Sequence, residues 1–198
     1  MTIVATPTDA DVIGESVADP SGFSTLWDRH AAEIHRYITR RLGAGPAEDV
    51  TSEVFLTAFR LRERYDPSRP NARPWLYGIA ANLIGKHRRS EVRALRALAR
   101  TGHDPVAETW SEESDERMVA DASSRRLAAA LASLSPDDRH TLLLVAWADL
   151  TYAEVAEALD IPVGTVRSRL NRARTRVRTA LEAATGDLQD PIEETHHG

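Results

Sequence analysis

Leu150 to Arg178, LTYAEVAEALDIPVGTVRSRLNRARTRVR, decides how the other residues are read. Thr151 and Glu154 form a capping box, in which each side chain satisfies a backbone donor left open at a helix start. Tyr152, Val155, Ala156 and Leu159 follow at i, i+3, i+4 and i+7, the apolar stripe of a short amphipathic helix. Pro162 disfavours helical dihedrals at the residue before it and interrupts that helix. A second helix is expected from about Thr165, with Val166, Leu170, Ala173, Val177 and Leu181 along one side. Two short helices joined by a tight turn make a helix-turn-helix.

At roughly 100° per residue, Ser168, Asn171, Arg172 and Thr175 point away from that stripe. Arg167, Arg174 and Arg178 run down one flank, and Arg169 and Arg176 down the other. Gly164 to Arg178 holds six arginines and no acid. A helix lying in the major groove of DNA needs this layout, with short polar groups toward base edges and cations toward phosphates. Arg172, on the groove side, is then a base reader and Arg176 a phosphate clamp; Thr165 belongs to the same surface. A solvated basic helix is the plainer alternative, and the capped helix and turn ahead of it weigh against that.

The formal net charge of −5 over 198 residues is unevenly placed. Residues 1–22 hold four acids and no Lys or Arg, residues 104–121 net −6, and residues 182–198 five acids and no Lys or Arg. Those segments total −15, which leaves +10 for the body. Such asymmetry suits a nucleic-acid binder whose acidic parts limit nonspecific attachment. The absence of cysteine excludes disulfides and cysteine-bound zinc. The histidines have no ligand spacing, so no metal or cofactor is expected. No apolar run approaches a membrane span, and the N-terminus lacks an export signal. A cytoplasmic protein without a membrane partner is expected. No nucleophile motif, phosphate-cradling glycine loop or paired carboxylates appear, so the chain reads as no enzyme.

The expected fold class is all-α: two small helical domains joined by an acidic flexible linker, the C-terminal one a helix-turn-helix. Residues 1–22 read as a disordered tail, small and polar with Pro7 and Pro20. The N-terminal helical domain covers 23–100. It has helices over Ser24–Leu42, from Pro46 to about Arg64, and from near Trp75 into a basic run. Tyr65 to Pro74 holds three prolines and reads as a loop. The flexible linker covers 101–122, the C-terminal domain 123–183 and an acidic tail 184–198. Within the C-terminal domain, Ser124–Leu134 reads as an alanine-rich helix. Ser135, Pro136 and the two acids behind them then start a helix expected to form the buried centre.

Three stretches, in order, carry a family resemblance: Ala47–Phe55 (AEDVTSEVF), Pro74–Asn82 (PWLYGIAAN) and Pro162–Arg174 (PVGTVRSRLNRAR). Over roughly residues 23–183 the chain resembles an extracytoplasmic-function sigma factor, the minimal class of initiation subunit for bacterial RNA polymerase. The resemblance implies that Asp49, Val50, Ser52 and Glu53 grip the clamp helices of the largest subunit of core RNA polymerase. Many relatives carry glutamine where this chain has Ser52. It also implies that the Tyr65–Pro74 loop and the helix bearing Asn82 read and melt the start-proximal promoter element. The C-terminal domain then reads the upstream, minus-thirty-five element as duplex through Thr165, Arg167, Ser168, Arg169, Asn171, Arg172, Arg174 and Arg176. Promoter DNA, core polymerase and an anti-sigma factor are the implied partners.

Each N-terminal residue also has a plainer reading. Trp75 fits core packing better than base stacking. Tyr65, at the entrance of the loop, is balanced between the two. Asn82 can both donate to and accept from a base edge, or is simply a helix-surface asparagine. Lys86, Arg88 and Arg89 are tolerable at a helix end without DNA, although their closeness to Asn82 favours a phosphate role. Asp49 and Glu53 are solvated acids unless the resemblance holds. The competing function is a helix-turn-helix repressor or activator acting as a dimer on a palindrome without being a polymerase subunit. An enzyme with an appended DNA-binding domain is more remote still.

Overall fold

Thr8 caps the first helix: its hydroxyl accepts from the Asp11 backbone, and the Asp11 carboxylate accepts from Thr8 N–H at 2.8 Å. The computed structural model describes the backbone of residues 6–101 and 114–186, and the side chains of 6–101 and 122–182. Its elements are α1 (Asp9–Ala18), a 3-10 turn (Pro20–Phe23), α2 (Ser24–Leu42), α3 (Ala44–Leu61) and a second 3-10 turn (Arg62–Arg64). There follow α4 (Arg73–Lys86), α5 (Arg88–Thr101), α6 (Ser114–Ser133), α7 (Pro136–Ala146), α8 (Tyr152–Leu159) and α9 (Val163–Gly186). The described residues contain no strand, and the all-α expectation holds.

The expected disordered tail over 1–22 is corrected by α1 at Asp9–Ala18, and its residues 1–5 lie outside the described residues. Val12 and Ile13 are buried on the core, and Asp9 N–H donates to Pro70 O at 3.1 Å. The Thr8–Asp11 box was the available signal, hidden among small polar residues. Gly43, at φ +84°, turns the chain between α2 and α3 in a conformation that side-chain-bearing residues rarely adopt. α3 starts two residues before Pro46, so Glu48 and Asp49 fall beyond its first turn. α4 starts at Arg73 rather than near Trp75, because a proline in the first helical turn lacks only an N–H with no intrahelical partner.

Ile34, Ile38, Val54, Leu76 and Ile84 knit α2, α3 and α4 into the N-terminal core. Tyr37 meets Tyr77 edge-on at 5.1 Å between ring centroids. Trp27 is 41% exposed and lies edge-on to Phe55. In the C-terminal half α7 buries Leu143 and Leu144, but it also buries Arg139, His140 and Thr141.

The two halves bury a common seam. α4 presents Gly78 to α8 so closely that a methyl carbon added there would stand 2.3 Å from the Ala158 carbonyl oxygen. Beneath it, Glu91 of α5 joins Arg41 of α2 to Arg139 of α7. Arg139 donates to Glu91 at 2.9 Å and also to the carbonyls of Leu131, Ala132 and Leu134 around the C-terminus of α6. Burial and the Arg41 charge push the His140 imidazole beside them down to about 4, which keeps it neutral. Residues 102–113 of the expected linker and 187–198 of the expected acidic tail lie outside the described residues. Residues 114–122 open α6, ten residues before the expected Ser124.

Candidate nucleic-acid interface

The helix-turn-helix forms as its sequence dictates. Thr151 accepts from Glu154 N–H, and the Glu154 carboxylate accepts from Thr151 N–H at 2.8 Å. Val155 and Ala156 are buried, with Tyr152 and Leu159 packed against the same core. Asp160 ends α8 in the left-handed conformation (φ +50°), which Asp tolerates better than most residues. Ile161 N–H then closes on Ala156 O at 3.0 Å. α9 begins at Val163, two residues earlier than expected, because the Pro162 carbonyl accepts from Thr165 and Val166. Val166, Leu170 and Ala173 are buried, and Val177 packs beside them.

The opposite side of α9 stands open. Arg167, Ser168, Asn171, Arg174 and Arg176 are exposed, and Thr165 is half-buried. Arg174 leans on the Tyr152 hydroxyl at 3.3 Å. Arg169 and Arg172 behave differently from a free basic row. Arg169 pairs with Asp137 at 2.7 Å and Arg172 with Asp138 at 2.9 Å. Arg172, expected on the groove side beside Ser168 and Asn171, leans toward α7. Burial opposes ionisation of Asp138, but hydrogen bonds from Arg172 and Ser135 outweigh it and hold its carboxyl below the usual range. The sequence reading took both aspartates as helix-start acids. No local signal links them to arginines more than thirty residues away.

In the N-terminal half, Asn82, Lys86, Arg88 and Arg89 are all exposed around the α4–α5 junction. Arg93, Arg96 and Arg100 continue the row along α5 beside a cleft of about 960 Å³. The basic run was evident in the sequence, but these three had been given no role. Tyr65 is half-buried: its ring packs at 4.9 Å from Trp75 and its hydroxyl donates to Arg69 O at 2.7 Å. It is therefore tied into the loop rather than free at its entrance. Arg69, on the same loop, pairs with Glu157 of α8 at 2.9 Å, and Arg73 donates to Ala148 O at 2.6 Å.

Asp49, Ser52 and Glu53 are exposed together on α3, and Glu53 comes within 3.8 Å of Lys86. Val50 is only 2% exposed, which corrects its inclusion in a contact surface: it points into the core from the face opposite those polar neighbours. Behind the loop, His30 bridges Asp9 (2.8 Å) and Glu33 (2.9 Å), and Arg29 and Arg73 hold the two acids from outside. The sequence carries no local signal for this network, since Asp9 and His30 lie 21 residues apart.

Among the described residues no helix is long and apolar enough to cross a membrane. The sequence matches the family model for Sigma-70 region 2 over residues 26–110 and that for Sigma-70, region 4 over residues 124–177. It is 34% identical over 175 residues to the ECF RNA polymerase sigma factor SigL of Mycobacterium tuberculosis, covering 87% of this chain and 96% of that protein. It is also 34% identical to SigE of Mycolicibacterium smegmatis over 86% of this chain, though it spans only 65% of that longer protein. Among solved structures, CnrH in complex with the cytosolic domain of CnrY superposes with a TM-score of 0.60 at 21% identity, covering 88% of this chain and 97% of that one. The sigma factor RpoE in complex with the anti-sigma factor NepR from Bartonella quintana gives 0.55 at 19%, covering 81% and 96%.

Proposed function

This chain belongs to the ECF RNA polymerase sigma factors, a family of transcription initiation factors rather than enzymes, and we propose a division of labour between its halves. The exposed polar-and-cationic side of α9 reads an upstream promoter element as duplex. The observation that carries this is the pattern on α9: Ser168 and Asn171 stand exposed between two flanks of arginine, while Val166, Leu170 and Ala173 of its apolar stripe are buried in the domain core. Asn82, with Lys86, Arg88 and Arg89 beside it, captures the start-proximal element as a displaced strand. Asp49, Ser52 and Glu53 dock on the clamp helices of core polymerase. The 3.8 Å approach of Lys86 to Glu53 supports this reading, which needs the two surfaces to be neighbours. An anti-sigma factor is the expected regulator, in keeping with the NepR complex of a structural relative, and the site of action is the cytoplasm.

The test mixes the full-length protein with sigma-free core polymerase and genomic DNA, and maps transcript starts. Starts behind one shared, asymmetric two-part site are expected, and Asp49→Arg with Glu53→Arg should abolish co-elution with the polymerase. A chain that ignores polymerase and binds a palindrome as a dimer would overturn the reading.

A further inference from the structure

Arg172 is not an ordinary exposed arginine. Its side chain is 55% exposed, whereas that of its partner Asp138 is 5% exposed. Nη2 donates to Oδ1 at 2.9 Å, and Nε lies 3.5 Å from Oδ2. The carboxylate therefore occupies the side-on edge of the guanidinium. The end-on edge, Nη1 with the outer Nη2 hydrogen, is left over, and it is the fork that matches two acceptors such as O6 and N7 of guanine. Asp138 itself is fixed. Its backbone N–H donates to Ser135 Oγ at 3.2 Å, it sits in the first turn of α7 where the helix dipole favours an anion, and burial leaves its side chain nowhere else to go.

We propose that Asp138 is a positioning residue for promoter recognition: it locks Arg172 by one edge so that the other meets the base already oriented. The inference rests on the reading of Arg172 as a base contact and deepens it. Arg169 serves as an internal contrast. Its partner Asp137 is the exposed member of that pair, and so it has no comparable hold on the arginine. An arginine that must be immobilised on binding loses affinity for the right base, whereas one already held does not.

The experiment uses the full chain bound to core polymerase. The probe is a duplex recovered by this holoenzyme from a random pool, together with versions changed one base pair at a time. Asp138→Asn should reduce discrimination about three- to tenfold, the cost of ordering one long side chain, and only at the one or two base pairs that Arg172→Ala flattens. Added to Arg172→Ala, it should change nothing further. Binding to unrelated duplex should not fall, and the melting temperature reports any general loss of structure. Arg172→Lys keeps the charge pair without the planar fork and should flatten the same positions, which gives a second route if Asp138→Asn folds poorly. A loss spread over all positions, or one additive with Arg172→Ala, overturns the positioning role. If Arg172→Ala flattens no position at all, the base-contact reading has failed first, and the inference goes with it.

Discussion

Two sets of arginine–carboxylate pairs in this molecule differ in which partner water can reach. At the seam, Arg41, Glu91 and Arg139 are all sealed from solvent, and two cations share one acid. On α9, Arg169 and Arg172 rest on Asp137 and Asp138 with one member of each pair in water. A buried charge cannot change partners without an uncompensated desolvation cost. A half-exposed arginine can exchange or share its partner with an arriving phosphate or base. The same chemistry thus fixes the arrangement of helices in one place and stays available for binding in the other.

Glu91→Ala breaks this contrast at its strongest point. It leaves two buried guanidinium groups without their acid, a change that typically costs about 3–5 kcal/mol. Urea unfolding should show the loss, and α6 should be affected as well, because Arg139 also holds its C-terminal carbonyls. A loss within the range of a surface pair would mean that the seam does not depend on this cluster.

Gly78→Ala attacks the same seam without touching a charge. The added methyl meets backbone at Ala158, which cannot rotate away as a side chain could. Overpacking of this kind costs about 1–3 kcal/mol. Thermal unfolding should move down, and the amides of α8 should exchange faster than those of α2. Unchanged exchange in α8 would show that α4 and α8 do not press on each other in solution.

Part of this picture was legible in the sequence. The capping box at Thr151, the stripe from Val166 to Val177 and the bounds of α2 are legible locally, and the structure reproduces them. Glu91 was legible only as a lone acid within a basic run. Its partners lie 50 residues upstream and 48 downstream, and helical periodicity carries no information at that range. Asp138 shows the same limit: an acid in the first turn of a helix and a partner for Arg172 are the same residue at the same place, and only the first leaves a local trace. Val50 failed for a different reason. A contact motif was carried over as a contiguous run, although consecutive helical residues face directions about 100° apart.

His30 gives a smaller, pH-dependent effect. Burial pulls its pKa down, but hydrogen bonds to Glu33 and Asp9 outweigh this, so the folded value is raised. Its contribution to stability is then fully present below about 6.5, the ordinary value, and is lost as pH rises through the raised folded value. Asp9 and Glu33, their carboxyls held below the usual range, and Arg73, raised above its own, keep their charges across that window. Stability should therefore decline on the alkaline side in the wild type and stay flatter in His30→Gln, as measured by denaturant midpoint against pH. A wild-type curve that rises there would mean that the imidazole is neutral in its bridge.

The smallest expected effect is that of Asp137→Asn, and it sharpens the comparison because its sign on DNA differs from that of its neighbour. Asp137 is 67% exposed and Arg169 only 20%, so water screens the pair and its rupture should change stability by no more than about 0.5 kcal/mol. The pair nevertheless matters electrostatically, since Asp137 neutralises one cation on the surface that would meet phosphates. Removing the acid frees that cation. Affinity for any duplex should rise slightly, and the salt dependence should steepen by roughly one counterion, with no change in preference among base pairs. Asp138→Asn should do the reverse, leaving the general affinity alone and blunting the preference. Titrations of both variants, bound to core polymerase, against matched and mismatched duplex at several salt concentrations separate the two. If Asp137→Asn also altered the preference, Arg169 would be a base reader, and the two flanks of α9 would not be the simple phosphate clamps that its helical wheel describes.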